Sequence, residues 1–254
     1  MLAAVLSGDA TKLAELMRQD PGFDVNKAHK DGHTLLHFAC SEGYRSAVIP
    51  LLLAHPDIDA NAKNIYRHTP FNYSSWNGRT SCVREMLRDS RVNPNEPDDD
   101  GYTPLWHVAV NGHLDVINWW IASGREMDLG KPGDVDKTDA IGVAKEEGNT
   151  EVVTLLERFK ENSEETRHMV RVELGWYYSA AAEMFALVVF VSDGLLQVNE
   201  TSTLSSAARY FNVATQLPLE LQMVLCFRQV GSMKEIIPGK ESEVAFKELA
   251  KGLW

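Results

Sequence analysis

His33 and His37 stand four residues apart, and a pair of imidazoles so spaced could serve one metal ion. The eight histidines of the chain do not otherwise gather into a metal site. Cys40, Cys82 and Cys226 are an odd number without metal-ligand spacing, which reads as buried free thiols in a reducing compartment. Acid pairs such as Glu146 and Glu147 look like a solvated helix face. No nucleophile with a base and an orienting partner can be assembled, and no glycine-rich loop is present to cradle a phosphate. The expectation is no catalysis, no metal and no cofactor.

Charge narrows what such a protein could bind. The chain carries a formal net charge of −11, of which residues 1–160 hold −7 and residues 161–254 hold −4. Nucleic acids and anionic membranes need clustered lysine and arginine, so an acidic surface argues against both. It favours a protein partner with basic patches. A hydrophobic content of 44% and a charged content of 24% are ordinary globular values. At 254 residues there is room for two domains, or for one solenoid with a cap.

The elements that would position a binding surface recur along the chain. Gly8, Gly43, Gly78, Gly112 and Gly148 are spaced by 35, 35, 34 and 36 residues. Nine residues before the last four stand Thr34, Thr69, Thr103 and Asp139. The text between them repeats as GHTLLHFACSEGY, RHTPFNYSSWNGR, GYTPLWHVAVNGH and KTDAIGVAKEEGN. Thr-Pro caps and opens a helix, because proline lacks only an N–H that the first turn does not use. Small residues such as Ala39 and Ala109 let paired helices approach closely. Glycine closes the first helix because a left-handed turn suits a residue without a side chain. Stacked copies then bury one continuous core.

This pattern, most complete in DDDGYTPLWHVAVNGHLDVINWW from Asp98 to Trp120, resembles the ankyrin repeat. The long loops LLLAHPDIDANAKN and MLRDSRVNPNEPDD resemble those of ankyrin proteins from fungi and other lower eukaryotes. The copies run 1–28, 29–63, 64–97, 98–133 and 134–160. The first enters midway through its first helix, as expected of a chain that begins inside a longer reading frame. Its core candidates are Leu2, Val5, Leu13 and Leu16. Arg67 and Lys137 stand where the turn glycine belongs, which predicts irregular hairpins, and Asp139 replaces threonine. In the family the histidine after Thr-Leu-Leu is structural and bonds neighbouring hairpins. That role falls to His37, and Trp106 replaces it in the fourth copy.

The resemblance implies binding of a protein by the hairpin tips and the exposed side of the first helices, which together line a concave surface. Carried onto this chain, those positions are Leu6 and Ser7 in the first copy and Lys30, Asp31, His33, Ser41 and Glu42 in the second. In the third they are Ile65, Tyr66, His68, Trp76 and Asn77. The fourth supplies Asp99, Asp100, Tyr102, Val110 and Asn111, and the fifth Val135, Asp136, Thr138, Glu146 and Glu147. Tyr66, Trp76 and Tyr102 form a central aromatic set with acids to one side, the composition of an interface hot spot. Trp76 has the alternative of packing between repeats.

Beyond residue 160, Asn162-Ser163-Glu164-Glu165 reads as a helix start with serine as the cap. The apolar run WYYSAAAEMFALVVFV spans residues 176–191. A membrane-spanning helix needs about 20 residues, and Glu183 sits mid-run, so a buried core helix is expected. Helical segments follow over 204–214, 217–230 and 241–253. Leu217, Pro218, Glu220, Leu221, Val224 and Leu225 resemble the opening of an F-box, which poxvirus ankyrin proteins also carry after their repeats. The resemblance implies a dock for the adaptor of a cullin-type ubiquitin ligase at Leu217, Pro218, Leu221 and Leu225. Proline followed by glutamate is equally plain helix chemistry.

The expectation is therefore an all-α ankyrin solenoid of about five repeats over 1–160, followed by a helical cap or small helical domain over 161–254. It would act as a monomeric, intracellular protein-binding scaffold, cytoplasmic or nuclear. Two alternatives are a ubiquitin-ligase substrate receptor using 217–231 and a membrane-tethered adaptor using 176–191.

Overall fold

The structure, a computed structural model, describes residues 1–130, 139–192, 214, 219–230, 244 and 245. They belong to two compact units, Met1–Val170 and Arg171–Trp254. All regular elements among the described residues are helical.

The first unit is built from pairs of short helices. These are α1 (Leu2–Ser7) with α2 (Ala10–Gln19), α3 (Leu35–Cys40) with α4 (Ile49–Leu53), and α5 (Pro70–Trp76) with α6 (Thr80–Arg88). The last two pairs are α7 (Pro104–Val110) with α8 (Leu114–Ser123) and α9 (Ala140–Glu146) with α10 (Thr150–Glu161). First helices pack on first helices and second on second, so α3, α5, α7 and α9 form one row and α4, α6, α8 and α10 another.

Local chemistry starts the first helices from α3 onward in a similar way. Thr69 Oγ1 accepts from the Asn72 N–H at 3.1 Å and Thr103 Oγ1 from Trp106 at 3.3 Å. Asp139 does the same for Gly142 at 2.7 Å. The aspartate is thus a working cap rather than a defect. Thr34 forms a reciprocal capping box with His37.

Two expectations drawn from glycine need correction. Arg67 does not make its hairpin irregular: it takes the left-handed backbone itself, φ 56°, as Gly32 and Gly101 do at 77° and 86°. Its hairpin still closes through Asn64 N–H to His68 O at 3.1 Å. Lys137 lies outside the described residues. Gly43, in contrast, does not close α3 through a left-handed turn, although Gly8, Gly78, Gly112 and Gly148 adopt positive φ. The chain there enters a 3-10 segment, Gly43–Val48, and α4 starts only at Ile49. Pro50 is the physical reason, because a proline deep inside a helix would clash with the carbonyl four residues earlier.

The core runs along the stack. Leu13, Leu36, Ile49, Leu52, Phe71, Met86, Leu105, Ile117, Trp120, Ile121 and Leu156 are fully buried. Phe71 meets Trp120 edge-on at 5.1 Å. Ala39 and Ala109 are buried, as are Val5 and Leu13, whereas Leu2 and Leu16 are only half-buried. Polar brackets add a second layer of coupling between copies. Arg91 donates to Leu53 O, and Arg125 donates to Leu87 O at 3.1 Å and Asp89 O at 2.7 Å. Asn26, Asn61 and Asn95 each donate to a carbonyl of the following copy, on Asp57, Arg91 and Glu126. Each also accepts an N–H from that copy, from Asp59, Asn93 and Asp128.

After α10, α11 (Ser163–Glu173) is capped by Asn162 rather than Ser163: Asn162 Oδ1 accepts from Glu165 N–H at 3.1 Å. Thr166 and Val170 are its buried residues, and Arg167 donates to Ile121 O at 3.3 Å.

The second unit is described in part. Its long helix α12 (Trp176–Ser192) packs on α13 (Leu219–Gln229). Ala181, Ala182, Phe185, Ala186 and Val188 are buried together with Ala214, Cys226, Phe227 and Ala245. Glu183 is exposed. Among the described residues no helix is long and apolar enough to cross a membrane.

Candidate functional site

The hairpins and first helices of the third and fourth copies bring together what the sequence set apart. Asn64 and Asp98 open the two hairpins in equivalent ways. Asn64 Oδ1 accepts from Tyr66 and His68 N–H at 3.0 and 2.9 Å. Asp98 Oδ1 accepts from Asp100 and Tyr102 N–H at 3.1 and 2.9 Å. Adjacent hairpins are joined by Ile65 N–H to Asp31 O at 3.1 Å and Asp99 N–H to Tyr66 O at 3.4 Å.

Between these hairpins lies an open hollow of ≈ 370 Å³, lined by Tyr66, His68, Trp76, Tyr102, His107 and the three aspartates Asp98, Asp99 and Asp100. Trp76 stacks on His107, with ring centres 5.0 Å apart and planes within 9°, and His68 meets Trp76 edge-on at 5.3 Å. Tyr102 stacks on Trp106 at 3.9 Å. Trp76 thus packs against the next copy, as its alternative reading expected, while 44% of its surface stays exposed.

Beneath the hollow, Asp98 is buried and takes His107 Nε2–H on Oδ2 at 2.7 Å, with His68 Nε2 3.6 Å away. Burial pulls the His68 pKa down, and the Asp98 carboxylate opposes that shift. Asp98 and His107 were absent from the binding positions carried over by resemblance. The signals available were that Asp98 stands one period after Asn64 and that His107 follows the position of the structural histidine.

The remaining candidates lie outside the hollow. Ile65 is 59% exposed at the hairpin tip. Glu42 pairs with Arg79 at 2.9 Å. Asn77 and Asn111 are exposed, but each amide donates at 2.8 Å to a carbonyl of its own helix, on Tyr73 and His107. Glu146 and Glu147 are exposed. Val135, Asp136 and Thr138 lie outside the described residues.

His33 and His37 are committed elsewhere. Their rings meet edge-on at 5.4 Å. His37 Nδ1 accepts from Thr34 N–H at 3.1 Å, so Nε2 carries the hydrogen and donates to His68 O at 3.0 Å. His33 Nε2 bonds the Tyr73 hydroxyl at 2.7 Å. The three cysteines are free and buried, and burial raises the Cys82 thiol to about 11.

In the second unit, Leu221 is 51% exposed and Leu225 is half-buried against the Phe227 cluster. Leu217 and Pro218 lie outside the described residues.

Residues 1–98 match the family model described as ankyrin repeats, in three copies. This part of the chain is an ankyrin-repeat array. The human SMC5-SMC6 complex localization factor protein 1 is 26% identical over 191 residues, 70% of this chain and 18% of that protein. Alpha-latrotoxin-Lg1a of Latrodectus geometricus is 33% identical over 120 residues, 47% of this chain and 9% of the toxin. The 60 kDa lysophospholipase of Mus musculus is 34% identical over 161 residues, 63% of this chain and 27% of that protein. The chain thus spans little more than a quarter of these relatives at most.

Proposed function

We propose that this protein is a non-catalytic scaffold whose hairpin and first-helix face holds a protein partner, centred on Tyr66, Trp76 and Tyr102. The observation that carries this reading is the coexistence of exposure and fixed geometry. Tyr66 and Trp76 remain 53% and 44% exposed, while stacking, hydrogen bonds and the Asp98 bracket hold the surrounding side chains in place. Large aromatics held rigidly lose little freedom on binding, so more of their buried area becomes affinity. Ankyrin repeats generally mediate protein–protein interaction, which supports the same reading. Free buried cysteines suit an intracellular, reducing setting.

The test uses the whole chain as bait in extract, beside the double variant Trp76→Ala, Tyr102→Ala, with captured proteins identified by mass spectrometry. The variant should keep its helical circular dichroism and lose the partner. Equal capture by both baits would remove this face from the interaction.

The exposure of Leu221 favours a second reading, in which α13 docks a ubiquitin-ligase adaptor. Capture of a cullin and its adaptor by the full chain, lost with Leu221→Asp, would support it. Equal capture by that variant would remove it.

A further inference from the structure

We propose that the hollow between the third and fourth copies receives one cationic side chain, a lysine or arginine on a basic peptide segment. This rests on reading the face as the protein-binding surface, and it specifies the chemistry at its centre.

Each wall of the hollow favours a cation. Tyr66 and Trp76 present exposed ring surface, and the electron-rich face of an aromatic ring attracts ammonium and guanidinium groups. Asp99 and Asp100 stand exposed at the rim. Asp100 has no ion pair among the described residues. Among the described residues Asp99 pairs with Arg67, 3.8 Å away with both side chains more than half exposed, and such pairs contribute little. Buried Asp98 is bracketed by two N–H groups and His107, so it holds the hairpin in shape beneath the site rather than reaching a ligand.

A long cationic side chain satisfies this arrangement as a whole, laying its methylenes along the rings and its charge among the carboxylates. An anionic group would face three aspartates, with only exposed Arg67 and the imidazoles of His68 and His107 to offset them. A purely apolar group would strip water from the rim carboxylates without replacing it. The net charge of −11 would draw a basic segment toward the surface, and the hollow would fix its register.

The probe is a short unstructured peptide of alternating lysine and glycine, titrated into the full chain while the indole N–H resonance of Trp76 is followed by NMR. A matched peptide with every lysine acetylated is the control. The lysine peptide should shift the Trp76 resonance, and acetylation should abolish the shift. Asp99→Asn with Asp100→Asn should weaken binding at least about tenfold. Glu161→Gln with Glu164→Gln, which removes the same charge far from the hollow, should change it less than about twofold.

Equal binding of the acetylated peptide overturns the proposal. So does equal weakening by the two charge variants, because bulk attraction would then explain the binding. The natural partner separates this idea from the broader one. If capture from extract is lost with Trp76→Ala, Tyr102→Ala but unaffected by Asp99→Asn, Asp100→Asn, the binding face stands and the cation site falls. If neither pair affects capture, both fall.

Discussion

His37 shows how one residue ties local chemistry to a measurable property of the whole. Its Nδ1 caps α3 and its Nε2 bonds the next hairpin, and burial drives its pKa from 6.5 down to about 4. His33 and His68 lower it further, while the His68 carbonyl and Asp59 raise it. The folded state therefore takes up fewer protons than the unfolded chain as pH falls. Stability present above about pH 6.5 is lost on the way to about pH 4, by up to roughly 3 kcal/mol. His68, also depressed by burial, adds in the same direction. Urea midpoints between about pH 7.5 and pH 4.5 should fall for the natural chain and fall less for His37→Gln; parallel slopes would assign the effect elsewhere. Arg67 offers a second case. A side chain in the left-handed region costs about 1 kcal/mol, so Arg67→Gly should leave the hairpin intact and raise stability by roughly 0.5 kcal/mol after the entropy glycine adds to the unfolded chain. Gly32→Ala should do the opposite, because its new methyl would sit 3.0 Å from Asn64 Cα at φ 77°. Thermal unfolding of the two variants checks both signs.

At the scale of the element, what distinguishes this array is how its copies are fastened. Apolar burial along α5, α6, α7 and α8 supplies the bulk of the attraction, but it is non-directional and does not set the register between copies. Register comes from the polar brackets. Each asparagine at 26, 61 and 95 both donates to and accepts from the next loop, and Arg125 gathers carbonyls at the end of α6 and beyond it. Removing the guanidinium would leave half-buried carbonyls without a charged donor. Arg125→Ala should therefore cost about 3 kcal/mol, and Arg125→Lys should recover only part of that, since one ammonium cannot span the same set. Equilibrium denaturation of both variants gives the comparison. Unchanged stability in Arg125→Ala would mean that solvent replaces the bracket. The corresponding weak point is Asn72, whose buried side-chain amide has no hydrogen-bond partner among the described residues. It occupies the place that His37 fills in the previous copy, and a shorter side chain does not repeat the bond to the following hairpin.

For the whole molecule, charge sets how any partner arrives. With −11 net charge and a hollow rimmed by carboxylates, association with a basic partner should slow and weaken as salt rises from about 0.05 to about 0.5 M. Surface-plasmon measurements on the captured partner would show this mainly in the association rate, and salt-independent kinetics would argue for an apolar contact instead. The array, its caps and the helix over 176–191 were legible because they are local and periodic. Threonine or aspartate nine residues before a glycine supplies a cap that acts within a single turn, and Glu183 interrupts a run too short to span a bilayer. Most hairpin positions that meet at the hollow were legible too, because a 34- or 35-residue period places equivalent residues side by side. Other features were not. Arg67 could take a left-handed turn only because neighbouring copies hold both ends of its hairpin, and Gly43 was released from that turn by Pro50. The same holds for Asp98 and His107, whose bond crosses from a hairpin to a first helix and becomes visible only when both are packed. The sequence by itself determined the repeating unit and the row of side chains it displays. The tertiary structure decided which of those side chains are spent holding copies together and which remain for a partner, because burial and hydrogen-bond partners are properties of the stack and not of the repeat.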